Sequence, residues 1–296
     1  MAIYGVLAAV AAMVGWGLSD FLFQRVAREV GIWEVLFGLT FVGTLVLFPF
    51  VYPMLLAGFE YPLMIGLILV GICLVRVISI YMGGLAILKG KLSVVEPVIS
   101  LEMPMIVLLS IFLLGEKITG LETVLIILIF LTIILAVTER FEVLKYHQRV
   151  FLESGALIAF GAAFFYAIAG FLIGYSSRHV EPVFVVWLYQ VAIAGFALFR
   201  IVVKKRVPNL IRGLRSFPVF IIASGLTGAT AWVMYGFSAQ YLPISLAIAL
   251  SQGYVLVAGG LGVVVNKEKI APHQVAGILL SFLGIIALGV VASLTN

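Results

Sequence analysis

Apolar runs dominate the chain, interrupted by short clusters of charge, proline and glycine. A run of about 20 predominantly apolar residues is the signature of a helix that crosses a bilayer. The pattern predicts ten such helices, at 3–23, 32–52, 62–88, 93–114, 119–138, 151–175, 182–203, 217–240, 244–265 and 271–292. The connections are short and leave no room for a soluble domain. Two polar stretches exceed the rest, Glu139 to Arg149 and Lys204 to Arg215, and the first divides the spans five and five. The expected organisation is a first five-helix repeat over 1–140, a connecting loop over 141–150 and a second repeat over 151–296.

Internal similarity supports that division. A shift of 150 places Trp16-Gly17 on Tyr166-Ala167, Phe21-Leu22 on Phe171-Leu172 and Arg28 on Arg178. A shift of 152 places Gly84 on Gly236, Ser93 on Ser245 and Glu116-Lys117-Ile118 on Glu268-Lys269-Ile270. With five spans per half, the second half enters the membrane from the opposite side. The halves are therefore expected to be inverted repeats, an arrangement of secondary transporters whose substrate sites lie near the midplane between repeats.

Charge tests the inversion independently. Connections after the odd spans, counted with the last turn of the span before each, hold fifteen basic residues, among them Arg25, Arg28, Lys89, Lys91, Arg140, Lys145, Arg149, Arg200, Lys204, Lys205 and Arg206; those after the even spans hold Lys117 and Arg178. Such an imbalance places the odd connections in the cytoplasm, and hence both termini outside the cell membrane. Composition names the solvent: 64% of residues are hydrophobic, 10% are charged and the mean hydropathy is +1.27. A soluble domain carries about 25% charged residues, enough to coat its surface, and this chain does not. The net charge of +5 then faces an anionic leaflet, and no nucleic-acid partner is expected. Cys73, the single cysteine, excludes an intramolecular disulfide. The first apolar stretch begins at Ile3 without a preceding basic residue, so no cleavable signal is expected.

The Trp16-Gly17 pair in the first span, the Pro104-containing fourth span and the repeated turns Gly115-Glu116-Lys117-Ile118 and Lys267-Glu268-Lys269-Ile270 resemble the EamA branch of the drug/metabolite transporter superfamily. The resemblance spans nearly the whole chain. It implies a ten-helix basket with a central cavity between the halves, moving metabolites, amino acids or drugs by alternating access. Many relatives are described with cytoplasmic termini, whereas the loop charges here give the opposite expectation.

Charges inside the spans are the sharpest candidates, because each costs at least about 2.5–3.5 kcal/mol at the bilayer centre. Arg76 lies midway along span 3 and Glu102 near the middle of span 4, at similar depth on consecutive antiparallel helices. One reading makes them a cavity pair, with Arg76 gripping an anionic group through its planar fork and Glu102 balancing it or carrying a proton. The other makes them a structural ion pair. Glu96 is expected to snorkel or pair with Lys91 or Lys89 near the inner interface. Asp20, close to the end of span 1 and near Arg25, is expected to be interfacial, with proton coupling as its functional alternative.

Polar aromatics and amides inside spans favour the protein interior over lipid. Trp16, Tyr81, Tyr166, Gln190, Trp232, Tyr235, Gln252 and Tyr254 are candidates to line a substrate cavity, with Trp187 as a further member of the set. Each could instead serve interhelical packing, as Gly15-x3-Ser19, Gly170-x3-Gly174 and Gly225-x3-Ala229 are expected to do. Pro97 and Pro104 are expected to bend span 4.

No metalloprotease His-Glu-x-x-His pair, serine-hydrolase elbow or Walker loop is present, and His147, His179 and His273 fall at or near loops. The expected function is a secondary transporter or exporter of small organic solutes, amino acids or related metabolites, without enzyme activity, cofactor or metal. The alternatives are an intramembrane lipid-modifying enzyme and a multidrug or cation exporter on the same fold. Expected partners are the substrate and membrane lipid. One chain has helices enough for a complete cavity, and an oligomer is compatible with the pattern.

Overall fold

The computed structural model describes residues 1–58, 61–89, 92–138, 154–267 and 270–295. The helices are α1 (Ala2–Val30), α2 (Ile32–Ala57), α3 (Leu63–Lys89), α4 (Leu92–Ile99), α5 (Glu102–Leu114), α6 (Gly120–Val137), α7 (Ser154–Ser176), α8 (Pro182–Val203), α9 (Val207–Ser216), α10 (Pro218–Tyr241), α11 (Ile244–Ser251), α12 (Tyr254–Asn266) and α13 (Pro272–Thr295). No strand occurs among the described residues. Ten segments are long and apolar enough to cross a membrane. The expected connecting loop 141–150, with Lys145, His147 and Arg149, lies outside the described residues, as do Arg140, Lys91 and the Glu268-Lys269 turn, and likewise the side chains of Arg28 and Glu96.

Three features depart from the sequence expectation. First, the ninth span is not a continuous helix, and in this it is like the fourth, where a bend is expected from Pro97 and Pro104. At the α4–α5 junction Pro104 has no N–H to donate to the Ser100 carbonyl. Met103 N donates to it instead, at 3.4 Å, and the ladder resumes with Met105 N on the Leu101 carbonyl at 3.2 Å. The α11–α12 junction has no proline. There Gly253, a weak helix former, separates the two helices, and its carbonyl accepts from Leu256 N at 3.0 Å and Val257 N at 3.3 Å. Second, α1 runs on to Val30, seven residues beyond its expected end, so Asp20 lies well inside a helix. Third, the polar stretch after α8 contains α9, which buries Leu210 and Gly213 and exposes Arg212, Arg215, Val207 and Ile211. A short helix with this mixture suits the membrane interface.

The most extensive packing joins α1 to α10, α3 to α7, α2 to α8 and α6 to α13. Every pair takes one helix from each half. Exchanging the halves converts the first pair into the second and maps the other two onto themselves, the contact pattern of an inverted repeat. The α1–α10 crossing is fastened by a reciprocal bond: Ser19 Oγ donates to the Ser224 carbonyl and Ser224 Oγ to the Ser19 carbonyl, both at 3.0 Å. The small-residue motifs sit at crossings of this kind, Gly15 against Thr227 and Ala231, Gly170 against Ile106, and Gly225 against Leu39 and Val42.

The α1–α2 turn rests on Gly31, at φ 123°, beside buried Glu34. Arg206 Nε lies 2.6 Å from Glu34 Oε1, and Arg206 Nη2 donates to the Val30 carbonyl at 3.1 Å. A Cβ at Gly31 would overlap the Glu34 carboxylate and lie 2.7 Å from Arg206 Nη2. Gly31→Ala is expected to cost about 1–3 kcal/mol through backbone strain and displacement of this pair. A lowered apparent melting temperature in detergent checks it; an unchanged one would show that the turn relaxes freely.

Candidate functional site

A cavity of about 490 Å³ lies between the halves, within the range of about 300–1,000 Å³ typical of small-molecule sites. It reaches from Arg76 at the middle of α3 to Gln24, Ala27 and Ile32 beside the α1–α2 turn. In the other direction the lining stops at Ile106, Gly170 and Ile248. The α3 contribution follows helical periodicity: Arg76, Ile80, Gly83 and Gly84 share one face.

Arg76 is buried at 7% exposure, yet no carboxylate among the described residues comes within salt-bridge distance of it. Its guanidinium carbon instead lies 4.4 Å from the centroid of the Trp232 ring, 5.1 Å from Tyr189 and 5.9 Å from Tyr166. Rings at these distances stabilise a cation through their quadrupoles without neutralising it. Trp16 extends the aromatic wall, with its ring 4.6 Å from Trp232 and 5.9 Å from Tyr254.

Four buried polar atoms on this wall have no hydrogen-bond partner among the described residues: Arg76 Nε, Trp16 Nε1, the Tyr189 hydroxyl and Gln252 Oε1. Buried polar groups are almost always paired, so four orphans around one cavity mark a place that water or a ligand completes. Three of the four can donate. The two broken spans meet here as well, since Gln252 Nε2 donates to Glu102 Oε1 at 3.4 Å. Glu102 opens α5 and Tyr254 opens α12. Two helix N-termini, each with a partial positive charge, thus reach the cavity at midspan. Gln190 completes the wall from α8 and is received by α2 at Gly43, where any Cβ would overlap its amide oxygen. Gly43→Ala is expected to drive the Gln190 amide from its place at a cost of about 1–3 kcal/mol. Weaker ligand-induced stabilisation in the folded variant would show it, and wild-type ligand response would show that the amide has other room.

The opposite face is fastened by a clasp at Glu116. Its Oε1 accepts from Arg178 Nη2 at 2.8 Å and Ile244 N at 2.7 Å, and its Oε2 accepts from Ser245 N at 3.1 Å and Ser245 Oγ at 2.9 Å. Arg178 also donates to the Ala239 and Leu242 carbonyls, at 2.8 and 3.0 Å. One carboxylate and one guanidinium so join the α5–α6 turn, the end of α7, the end of α10 and the start of α11.

The EamA-like transporter family model matches this chain twice, over residues 3–138 and 153–290. The chain belongs to that family. Its two matches repeat one domain, and with ten apolar helices the protein is a multi-pass membrane protein of the drug/metabolite transporter superfamily. No curated protein matches the sequence. Among solved structures 28 chains match; one crystal structure, 15% identical, superposes with a TM-score of 0.74 over 99% of each chain, a likeness of fold.

On this EamA fold, Arg76, Glu102, Trp16, Tyr166, Gln190, Trp232, Gln252 and Tyr254 all line the one cavity. Asp20, expected at the interface, lines it too, because α1 continues past it. Arg25, its expected partner, lays its guanidinium over the Phe220 ring at 5.1 Å. Two expected residues are elsewhere. Tyr235 is wholly buried behind the wall and donates to the Gly170 carbonyl at 3.0 Å. Tyr81, one residue from Ile80 and so turned about 100° from the cavity face, packs beside Trp33, Phe196 and Arg200. Trp187 packs near Phe48 and Phe184. Tyr189 was absent from the expected set; its spacing of four from Val185 and Ile193 reads as packing, although its neighbour Gln190 marks the same stretch of α8.

Proposed function

We propose that this chain is a secondary transporter or exporter of small organic solutes carrying a carboxylate or other anionic group, amino acids or related metabolites among them. The observation that carries the reading is the buried Arg76, which has no counter-ion among the described residues, with two further buried donors beside it, Trp16 Nε1 and the Tyr189 hydroxyl, that have no partner among them either. A cation without a counter-ion in a membrane cavity is costly, and an anionic substrate group supplies the missing acceptor. The midspan N-termini of α5 and α12 favour the same charge. Glu102 and Asp20, on the same walls, suit the ammonium of a zwitterion or a coupled proton.

Movement follows alternating access between the two inverted repeats, 1–140 and 151–296. The Glu116 clasp closes one face while the cavity reaches toward the basic turns. With the basic turns in the cytoplasm and both termini outside, this is an inward-facing arrangement, and transport is passive or gradient-coupled. The same two carboxylates favour a second reading, export of organic cations. A stability screen of the purified protein against amino acids, organic acids, nucleosides, sugars and cationic drugs, followed by counterflow in proteoliposomes, tests both. Stabilisation and flux with anionic or zwitterionic solutes supports the first reading. Response to cationic drugs alone overturns it in favour of the second.

A further inference from the structure

Tyr81 leads to a second cluster, outside the lining of the cavity. The Arg200 guanidinium carbon lies 5.2 Å from the Trp33 ring centroid and 5.1 Å from that of Tyr81. Phe196 closes the base, its ring 5.8 Å from Trp33 and 6.0 Å from Tyr81. Arg200 Nε is buried without a hydrogen-bond partner, and Arg200 takes part in no ion pair among the described residues. The two rings flank the guanidinium from neighbouring directions, their centroids 6.1 Å apart, and its planar fork of donors suits a doubly hydrogen-bonded oxyanion.

Depth identifies the source of that anion. Arg200 is the fourth residue from the end of α8, Trp33 the second of α2, and exposed Lys204 and Lys205 follow at once. Arginine and tryptophan at this level sit among lipid headgroups. From Trp33 the same face of α2 continues into the membrane through the stacked pair Phe37 and Phe41, the latter 46% exposed. Phe199, next to Arg200, is 61% exposed. A free phosphate would use none of this apolar surface, whereas an acyl chain below the headgroup would cover it.

We propose that Arg200, Trp33 and Tyr81 form a binding site for the phosphate of an anionic phospholipid, in the leaflet on the side of the basic turns. The site is separate from the transport cavity and backs onto it at Gly84, which lines the cavity and lies 3.6 Å, from an ideal Cβ, to the Trp33 ring.

The test is lipid titration of delipidated full-length protein in detergent, read by native mass spectrometry and thermal stability. Dioleoylphosphatidylglycerol is compared with dioleoylglycerol, which has the same tails and no phosphate, and with inorganic phosphate. The phospholipid is expected to bind and stabilise wild type while the other two have little effect. Arg200→Ala is expected to weaken that binding about tenfold or more, the loss of charge-assisted hydrogen bonds. Lys204→Ala, which removes one exposed surface cation, is expected to weaken it by no more than about fivefold. Phospholipid binding unchanged in Arg200→Ala, or inorganic phosphate stabilising as well as the phospholipid, overturns the proposal. Should Arg200→Ala not purify folded, Trp33→Leu is read in the same assay, where wild-type binding overturns it equally. Cavity ligands are expected to stabilise Arg200→Ala as they do wild type, and that separates this site from the transport cavity.

Discussion

Arg76→Ala is expected to lower counterflow of anionic solutes in proteoliposomes by about a hundredfold or more, the loss associated with truncating one partner of a desolvated charge pair. Its effect on the empty protein should have the opposite sign. A residue of a structural ion pair leaves its partner stranded when removed, and stability falls. Arg76 meets rings and, among the described residues, no carboxylate. Removing it therefore relieves an unpaired buried charge, and the unliganded variant should melt at the wild-type temperature or above it. Arg76→Lys keeps the charge but loses the planar fork, so weakened rather than absent flux is expected. Undiminished transport by Arg76→Ala would end the anion reading, and a large drop in apo stability would make Arg76 structural.

Glu116→Ala is expected to cost about 2–4 kcal/mol of stability, because it leaves the Ile244 and Ser245 N–H groups without their acceptor and takes from Arg178 its carboxylate, leaving it only the Ala239 and Leu242 carbonyls. The released energy should also open the clasped face. Ser177 and Ser238 are fully buried behind it, and their hydroxyls have no partners among the described residues. A cysteine at Ser238, in a Cys73→Ser background, should be slow to label in the parent and about tenfold faster once Glu116 is alanine, the shift of a two-state equilibrium by about 1.4 kcal/mol or more. Glu116→Gln keeps one of the two acceptor oxygens and should fall between the two. Equal labelling with and without Glu116 would show that the face is held shut by helix packing alone.

The spans, their number and the inverted relation of the halves were legible because each rests on a cumulative signal: a 20-residue run, an ordered series of matches, a charge imbalance across every connection. Single positions were legible where polarity conflicts with lipid, as for Arg76, Gln190 and Gln252. They were not legible where two interior fates share one residue type. Tyr81 and Tyr235 are as polar as Tyr166, and only the helix faces distinguish a packed ring from a cavity wall. Asp20 was misplaced because Gln24, Arg25 and Glu29 resemble a loop although they continue a helix past the apolar run. The break before Tyr254 was hidden because a lone glycine, Gly253, weakens a helix without forcing it to stop, whereas Pro104 announces its counterpart in the first half.

The pairing of every major helix with one from the other half has a consequence for biogenesis. While the first five spans emerge from the ribosome, the faces of α1, α2, α3 and α6 that later meet α10, α8, α7 and α13 are bare, and lipid or insertion factors must shield Ser19, Gly43 and Arg76 until the second half arrives. Each half leaves faces that only the other covers, so the last helix inserted, α13, completes the packing of α6.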